Sequence, residues 1–208
     1  MKSIKYILIF LFAGTSLSAQ VFIGGNINFS TANSKQDRPS GLRETNNYSI
    51  GLRPGIGKFV ADNLAIGLAL DFTSTKSKTD YINFSQVNTL YAGINPFIRY
   101  YAVNWNKFSI YGQGNILLGF SKTKDELNGA FTESSGTKFG VNFYPGFNYD
   151  LSDKISLFTA INVLNLGYNY EIIKEGTLKE KSSGFNIGAG LDNILSIGAI
   201  NIGALYKF

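Results

Sequence analysis

The feature that most constrains the fold is an alternation of large apolar residues with small or polar ones. Along residues 64–73, one parity carries Leu64, Ile66, Leu68, Leu70 and Phe72, and the other carries Ala65, Gly67, Ala69, Asp71 and Thr73. Residues 139–150 repeat the pattern. Successive side chains of a β-strand point to opposite faces, whereas a helix would scatter them around its axis. The alternation therefore predicts two-faced strands.

Similar segments recur along the chain. The eight predicted strands are 21–31, 48–60, 64–73, 87–102, 108–121, 139–150, 155–170 and 184–208. Most reach the roughly 9–11 residues that a tilted strand needs to cross a bilayer. Short turns, predicted near 61–63, 103–107 and 151–154, alternate with polar loops, predicted near 32–46, 76–86, 122–135 and 171–183. We therefore predict an all-β fold, an eight-stranded antiparallel up-and-down transmembrane β-barrel formed by residues 20–208.

The composition agrees with a barrel in lipid. Charged residues make up 16% of the chain, against about 25% in an ordinary soluble domain. The chain has no Cys, so we expect neither a disulfide framework nor a thiolate metal site. Its net charge of +5 is modest and spread over both signs, so we expect no nucleic-acid partner.

The N-terminal segment 1–19 has the organisation of a secretory signal peptide. Lys2 and Lys5 precede an apolar run, and small residues lead to Ala19 and Gln20. We expect cleavage between Ala19 and Gln20. The alternative, an N-terminal membrane anchor, would need an apolar stretch of about 20 residues, and this one is shorter.

Three prolines recur shortly before the predicted short turns. They are Pro54, Pro96 and Pro145. A proline cannot donate to a strand ladder, so we expect bulges or widened pairings at these positions.

The last strand changes parity. Ile200, Ile202, Ala204, Tyr206 and Phe208 share one face, whereas the apolar residues at 185–191 are odd-numbered. Because a one-residue shift moves every side chain to the other face, we predict a bulge within Asp192–Ile197.

Four segments together resemble the small outer-membrane β-barrel family common in Bacteroidetes, which is broadly similar to the OmpA transmembrane domain and OmpX. They are Ser18–Gln20, Asn95–Tyr101, Tyr144–Phe147 and Leu205–Phe208. The resemblance implies an outer-membrane protein with both termini in the periplasm, in contact with outer-membrane lipid and lipopolysaccharide. It also implies that Tyr206 and Phe208 form a C-terminal signal read by the barrel-assembly machinery. We expect a monomer.

The strongest candidates for a lumenal site are Arg53, Asp71 and Arg99, which lie on consecutive predicted strands. We predict a lumenal polar network in which Asp71 pairs with one or both arginines. It would either act as a gate or only fill a narrow interior, in which charged groups need partners. The other polar residues predicted to face inward are Gln113, Asn142, Asn148 and Asn162.

We expect no catalytic residue, cofactor or metal site. The chain has no His, so the usual general base near neutral pH is missing. Carboxylates at Asp80, Asp125, Glu126 and Glu133 would at best hold a loop cation weakly.

Three functional classes remain open. The first is a structural or surface-interaction barrel whose loops face the cell exterior, meeting lipopolysaccharide or an extracellular protein partner. An exposed sheet edge at 162–170 and 183–190 would serve the same role by strand pairing. The second is a narrow passive pore for small solutes or ions. The third, an enzyme acting on lipid, is disfavoured by the absence of His. The non-membrane alternative is a soluble lipocalin-like binder, which would bury its apolar face inward instead.

Overall fold

The computed structural model describes residues 20–39, 41–80, 85–160, 164–189 and 199–208. The predicted signal peptide at 1–19 and Asn162 lie outside them. The strands are β1 (Val21–Arg38), β2 (Gly41–Ala61), β3 (Leu64–Asp80), β4 (Ser85–Trp105), β5 (Phe108–Leu127), β6 (Ala130–Asp150), β7 (Ile155–Ala160), β8 (Leu164–Glu175), β9 (Leu178–Ala189) and β10 (Ala199–Lys207). The described residues contain no helix long and apolar enough to span a membrane.

Eight of these strands close into a ring. β1 to β6 pair consecutively, β6 pairs with β7, β7 with β10, and β10 with β1, all antiparallel. The closing ladder runs from Phe22 opposite Lys207 to Ser30 opposite Ala199. The prediction of an eight-stranded barrel is confirmed, and closure leaves the ring without a free sheet edge.

The β8–β9 hairpin continues the wall on one side. β6 pairs with β7 over Gly146–Asp150 and with β8 over Ser135–Phe143, so its partner changes around Pro145. Within the described ranges, β9 pairs with β8 alone and the β1 segment 31–38 pairs with β2 alone. In the described part of the chain, the sheet therefore has two strand edges outside the closed ring, one on β9 and one on segment 31–38 of β1.

The predicted long polar loops are wrong. β2 and β3 stay paired from Leu52 opposite Phe72 up to Glu44 opposite Asp80, and β5 and β6 stay paired up to Leu127 opposite Ala130. Hydroxyl groups link neighbouring strands there, as in Ser49–Thr75 (3.2 Å) and Thr89–Thr123 (3.0 Å). Polar residues predominate on both faces of these extensions, so the alternation that marks a half-buried strand disappears although the ladder continues.

The outer face of the ring carries the large apolar residues. Ile50, Leu90 and Phe120, for example, are exposed by 57%, 61% and 69%. The next outward-facing residues on β3, β4 and β5, further from the short turns, are polar: Ser74, Asn88 and Lys122. The apolar outward zone is called the belt below. A lipocalin-like arrangement, with its apolar face inward, is therefore excluded.

The ladders are irregular at two kinds of position. At Pro54 and Pro96 the pairs with the following strand are missing while the register is kept, which agrees with the widened pairing expected at these prolines. The register itself shifts nearer the turns, between Phe59 and Ala61 and between Tyr101 and Val103. A shift near the turn lets a strand reverse without disturbing the lumen. The bulge predicted within Asp192–Ile197 lies outside the described residues.

The two described chain ends meet at one end of the barrel, the turn side, which also holds the turns at 62–63, 106–107 and 151–154. The Phe59 amide donates to the Gln20 carbonyl (3.0 Å), and the Phe208 amide donates to the Val21 carbonyl (2.9 Å). The opposite end, the loop side, includes a hairpin turn at Asn128 and Gly129, both with positive φ. That is the conformation of the tight turns that match strand twist.

Candidate functional site

The turn-side half of the lumen is filled by aromatic rings. Phe22 meets Phe59 edge-on at 5.5 Å between ring centroids, Phe59 stacks on Tyr101 at 5.7 Å, and Tyr101 contacts Tyr111 at 5.9 Å. These rings come from β1, β2, β4 and β5, so they bridge the interior. Their bulk closes much of a lumen that eight strands make only wide enough for side chains.

Arg99 lies beside these rings and is 4% exposed. Its guanidinium carbon is 4.4 Å from the Tyr111 ring centroid and 4.7 Å from that of Phe158. The two rings belong to β5 and β7, so the guanidinium spans the space between non-adjacent walls. We call Arg99, Tyr111 and Phe158 the Arg99 stack. Cation–π attraction stabilises this arrangement most where water is excluded.

A chain of side-chain amides extends from Arg99. Its Nε donates to Gln113 Oε1 (2.8 Å), and Gln113 Nε2 donates to Asn115 Oδ1 (2.7 Å) and to the Tyr144 hydroxyl (2.9 Å). Asn115 Nδ2 then donates to Asn142 Oδ1 (2.9 Å). Every partner in this chain is neutral.

Arg53 and Asp71 form a separate ion pair, further from the turns than Arg99 but still at the level of the belt, where Leu70 and Phe72 flank Asp71 on the outer face. Arg53 Nη2 lies 2.5 Å and Nε 3.1 Å from Asp71 Oδ2, while the Thr73 hydroxyl donates to Oδ1. Asp71 is buried and the Arg53 side chain is 27% exposed. The structure therefore brings Arg53 and Asp71 together and places Arg99 in a different set of contacts.

Between the two arginines lies a small void of about 40 Å³. Its polar lining consists of Arg53, Arg99, Asn26, Asn95, Gln113, Asn115 and Tyr144, and its remaining lining is Phe22, Gly24, Gly25, Gly55, Ala69, Phe97, Phe158 and Leu205. Asn95 is 2% exposed, and its Oδ1 has no hydrogen-bond partner in the described part of the chain.

A wider cavity of about 570 Å³ opens at the turn side. Asp150 lies in its wall and accepts hydrogen bonds from the Ser156 hydroxyl (2.5 Å), Lys207 Nζ (3.0 Å) and Asn148 Nδ2 (3.2 Å). Partial burial raises the pKa of the Asp150 carboxyl, but these hydrogen bonds and the Lys207 charge together hold it below its ordinary value.

Sequence reasoning missed the rings that close the lumen. Tyr111 and Asn115 share the odd parity of Gln113 on β5, and Tyr101 shares that of Arg99 on β4. Parity alone would have placed them inward, although it does not tell which inward side chains meet.

A closed eight-stranded ring with an apolar belt outside and polar groups within defines an integral membrane β-barrel. Residues 7–208 match the family described as outer membrane protein beta-barrel domain. The chain belongs to this family and is an outer-membrane barrel. No curated protein matches it in sequence.

Solved structures with a similar fold include outer-membrane proteins. Neisserial surface protein A is 17% identical, with a TM-score of 0.41 over 90% of this chain and 97% of that one. A major outer membrane protein from Thermus thermophilus is 12% identical, with a TM-score of 0.45 over 92% and 100%. The outer membrane protease OmpT from Escherichia coli is 8% identical, with a TM-score of 0.38 over 91% and 96%. At such identities the likeness concerns the fold alone.

Proposed function

We propose that the protein is a structural or surface-interaction barrel whose loop side faces the cell exterior and whose lumen is closed by side chains. The observation that carries this proposal is the Arg99 stack, which crosses the lumen between β5 and β7. A lumen filled in this way leaves little room for solute flow. Specific contacts with other molecules would therefore be made by the loop-side half. That half extends beyond the belt and bears charges of both signs, including Lys122, Lys124 and Glu133.

The same proposal includes the cellular location and the orientation of the protein. Segment 1–19 serves as a cleaved signal peptide, both mature termini lie in the periplasm, and the barrel is a monomer among outer-membrane lipid and lipopolysaccharide. Tyr206 and Phe208 point outward at the turn side with their rings 5.2 Å apart, where the barrel-assembly machinery would read them. A partner protein outside the cell would contact the loop-side strands.

Epitope tags test the orientation. A tag inserted between Asn128 and Gly129 should bind antibody on intact cells, whereas one between Asn106 and Lys107 should bind only after the outer membrane is permeabilised. Both sites are hairpin turns with a positive-φ asparagine, so the insertions are matched. The reverse accessibility would overturn the orientation.

Planar-bilayer recording tests the closed lumen. The wild-type barrel should give no stable conductance steps, while Arg99→Ala, which removes the guanidinium from between the two rings, should give them. Lys124→Ala, at the exposed loop side, is the matched control and should stay closed. Stable steps in the wild type would favour the alternative function, a narrow passive pore for small solutes or ions, for which the wide turn-side cavity is the supporting observation.

We assign no catalytic role, cofactor or nucleic-acid partner. The lumenal polar groups that the structure describes include arginines, amides, hydroxyls, paired carboxylates and the Lys207 amine, and a chain without histidine lacks the usual general base.

A further inference from the structure

The void of about 40 Å³ between Arg53 and Arg99 has an unusual polar lining. Two guanidinium groups, four carboxamides and one tyrosine hydroxyl line it, and none of its lining residues is Asp or Glu. All of these side chains except Gln113, whose two N–H groups already donate to Asn115 and Tyr144, have an N–H or O–H group that can donate to a guest. The lining therefore suits a guest that accepts hydrogen bonds and carries negative charge.

Charge balance in the described lumen points the same way. Asp71 forms an ion pair with Arg53, and Asp150 forms one with Lys207 at the turn side. Among the described residues, the partners of Arg99 are neutral, namely Gln113, the Tyr101 hydroxyl and aromatic rings. A buried charge with no counter-charge is costly, and aromatic rings and amides offset only part of that cost.

Asn95 supplies a second, independent observation. It is 2% exposed and lines the void, and its Oδ1 has no hydrogen-bond partner among the described residues. A buried polar atom without a partner is rare, which indicates a guest molecule at this point. The Asn95 Oδ1 is an acceptor, so this guest must be a hydrogen-bond donor such as a water, whose second O–H can donate to a neighbouring anion.

We propose that this void binds a small monovalent inorganic anion of halide size, with chloride as the abundant example, next to Arg99. The volume fits, because a single water-sized sphere needs roughly 10–15 Å³ of such space and about 40 Å³ is present. The anion supplies the counter-charge that Arg99 lacks, and an accompanying water donates one hydrogen bond to the anion and one to the Asn95 Oδ1.

Thermal unfolding of the folded barrel in detergent micelles tests the site, with sodium chloride compared against sodium gluconate at equal ionic strength. Chloride at ten times its dissociation constant should raise the apparent melting temperature by about 3–6 °C. Equal melting temperatures in the two salts at all concentrations would overturn the proposal.

Three variants make the test specific. Arg99→Gln removes the charge and should abolish the difference between the salts, whereas Lys122→Gln, at an exposed cation, should retain it. Asn95→Asp is nearly isosteric and places a carboxylate in the void, so it too should abolish the difference. Asn95→Asp decides the matter if Arg99→Gln fails to fold, since an unchanged chloride effect in Asn95→Asp would contradict the site.

A crystal grown with sodium bromide gives a direct readout. An anomalous peak in the void beside Arg99 would support the proposal. A void holding only water under the same conditions would overturn it.

Discussion

The turn-side and loop-side halves of this barrel use one continuous set of antiparallel ladders in two different ways. In the turn-side half, rings and Arg99 fill the interior and apolar residues form the outer belt. In the loop-side half, Ser and Thr hydroxyls pair across the inner face, as in Thr45–Thr79 (3.3 Å), and charged residues stand outside.

The difference shows which half sets stability and which is free to vary. Substitutions in the turn-side half disturb packed rings, a buried ion pair or the contact with lipid. Substitutions in the loop-side half alter side chains that are largely solvated, and an exposed ion pair there contributes little. We therefore expect stability to depend on the turn-side half and recognition to depend on the loop-side half.

The largest contrast should come from placing a charge on the outer face of β4. Ile94 is 45% exposed within the belt, so Ile94→Lys puts an ammonium into lipid and should destabilise the barrel by about 2–4 kcal/mol. Asn88→Lys, on the same face beyond the belt, should cost about 0–1 kcal/mol. Urea unfolding in lipid vesicles measures both, and equal costs would contradict the position of the belt.

Asp71→Ala should have the next largest effect. It leaves the Arg53 guanidinium without its carboxylate in a partly buried site, at a cost of about 3 kcal/mol. Asp125→Ala, at an exposed position of the loop-side half, should change the free energy of unfolding by less than about 0.5 kcal/mol. If Asp71→Ala unfolds at the same urea concentration as the wild type, the ion pair does not contribute to stability.

Two Gly→Ala substitutions compare packing in the halves directly. A Cβ at Gly146 would overlap the Tyr111 ring and lie 2.6 Å from the Thr159 carbonyl oxygen, so Gly146→Ala should cost about 1–3 kcal/mol. At Gly184 no described residue lies within 4 Å of the added Cβ, so Gly184→Ala should be neutral or stabilise by up to about 1 kcal/mol. The melting temperatures of the two variants measure this difference in stability. Similar shifts for Gly146→Ala and Gly184→Ala would mean that the lumen is loosely packed.

The sequence predicted the turn-side half well because its two faces meet different surroundings. Lipid outside and a narrow lumen inside require opposite side chains at alternate positions, so β3, β5 and β7 begin at Leu64, Phe108 and Ile155 as predicted. The loop-side half meets water, which sets no such requirement. Its strands therefore looked like loops, although β2 continues to Gly41 and β5 to Leu127.

The contacts of the lumenal residues could be predicted only in part. Parity identified Arg53, Asp71 and Arg99 as inward, but the choice of partner depends on register and on reach across the ring. Asp71 meets Arg53, whereas Arg99 lies between Tyr111 and Phe158, 12 and 59 positions along the chain. The contact with Phe158, which joins the non-adjacent strands β4 and β7, leaves no signal in local sequence.

The smallest expected difference between the two halves is in the pH dependence of their stability. Because the pKa of Asp150 is held below its ordinary value of 3.8, its ionised form stabilises the fold above that pH, and this contribution is lost as pH falls below 3.8. Asp150→Asn should therefore be less stable than the wild type at pH 7, and the difference should shrink as the pH approaches 3. At the loop side, hydrogen bonding to Lys122 also lowers the pKa of Glu133, but this carboxyl is fully exposed and water screens its interactions. Urea unfolding of Glu133→Gln should accordingly match the wild type at both pH values, and a pH-dependent loss as large as that of Asp150→Asn would show that the loop-side half also contributes to stability.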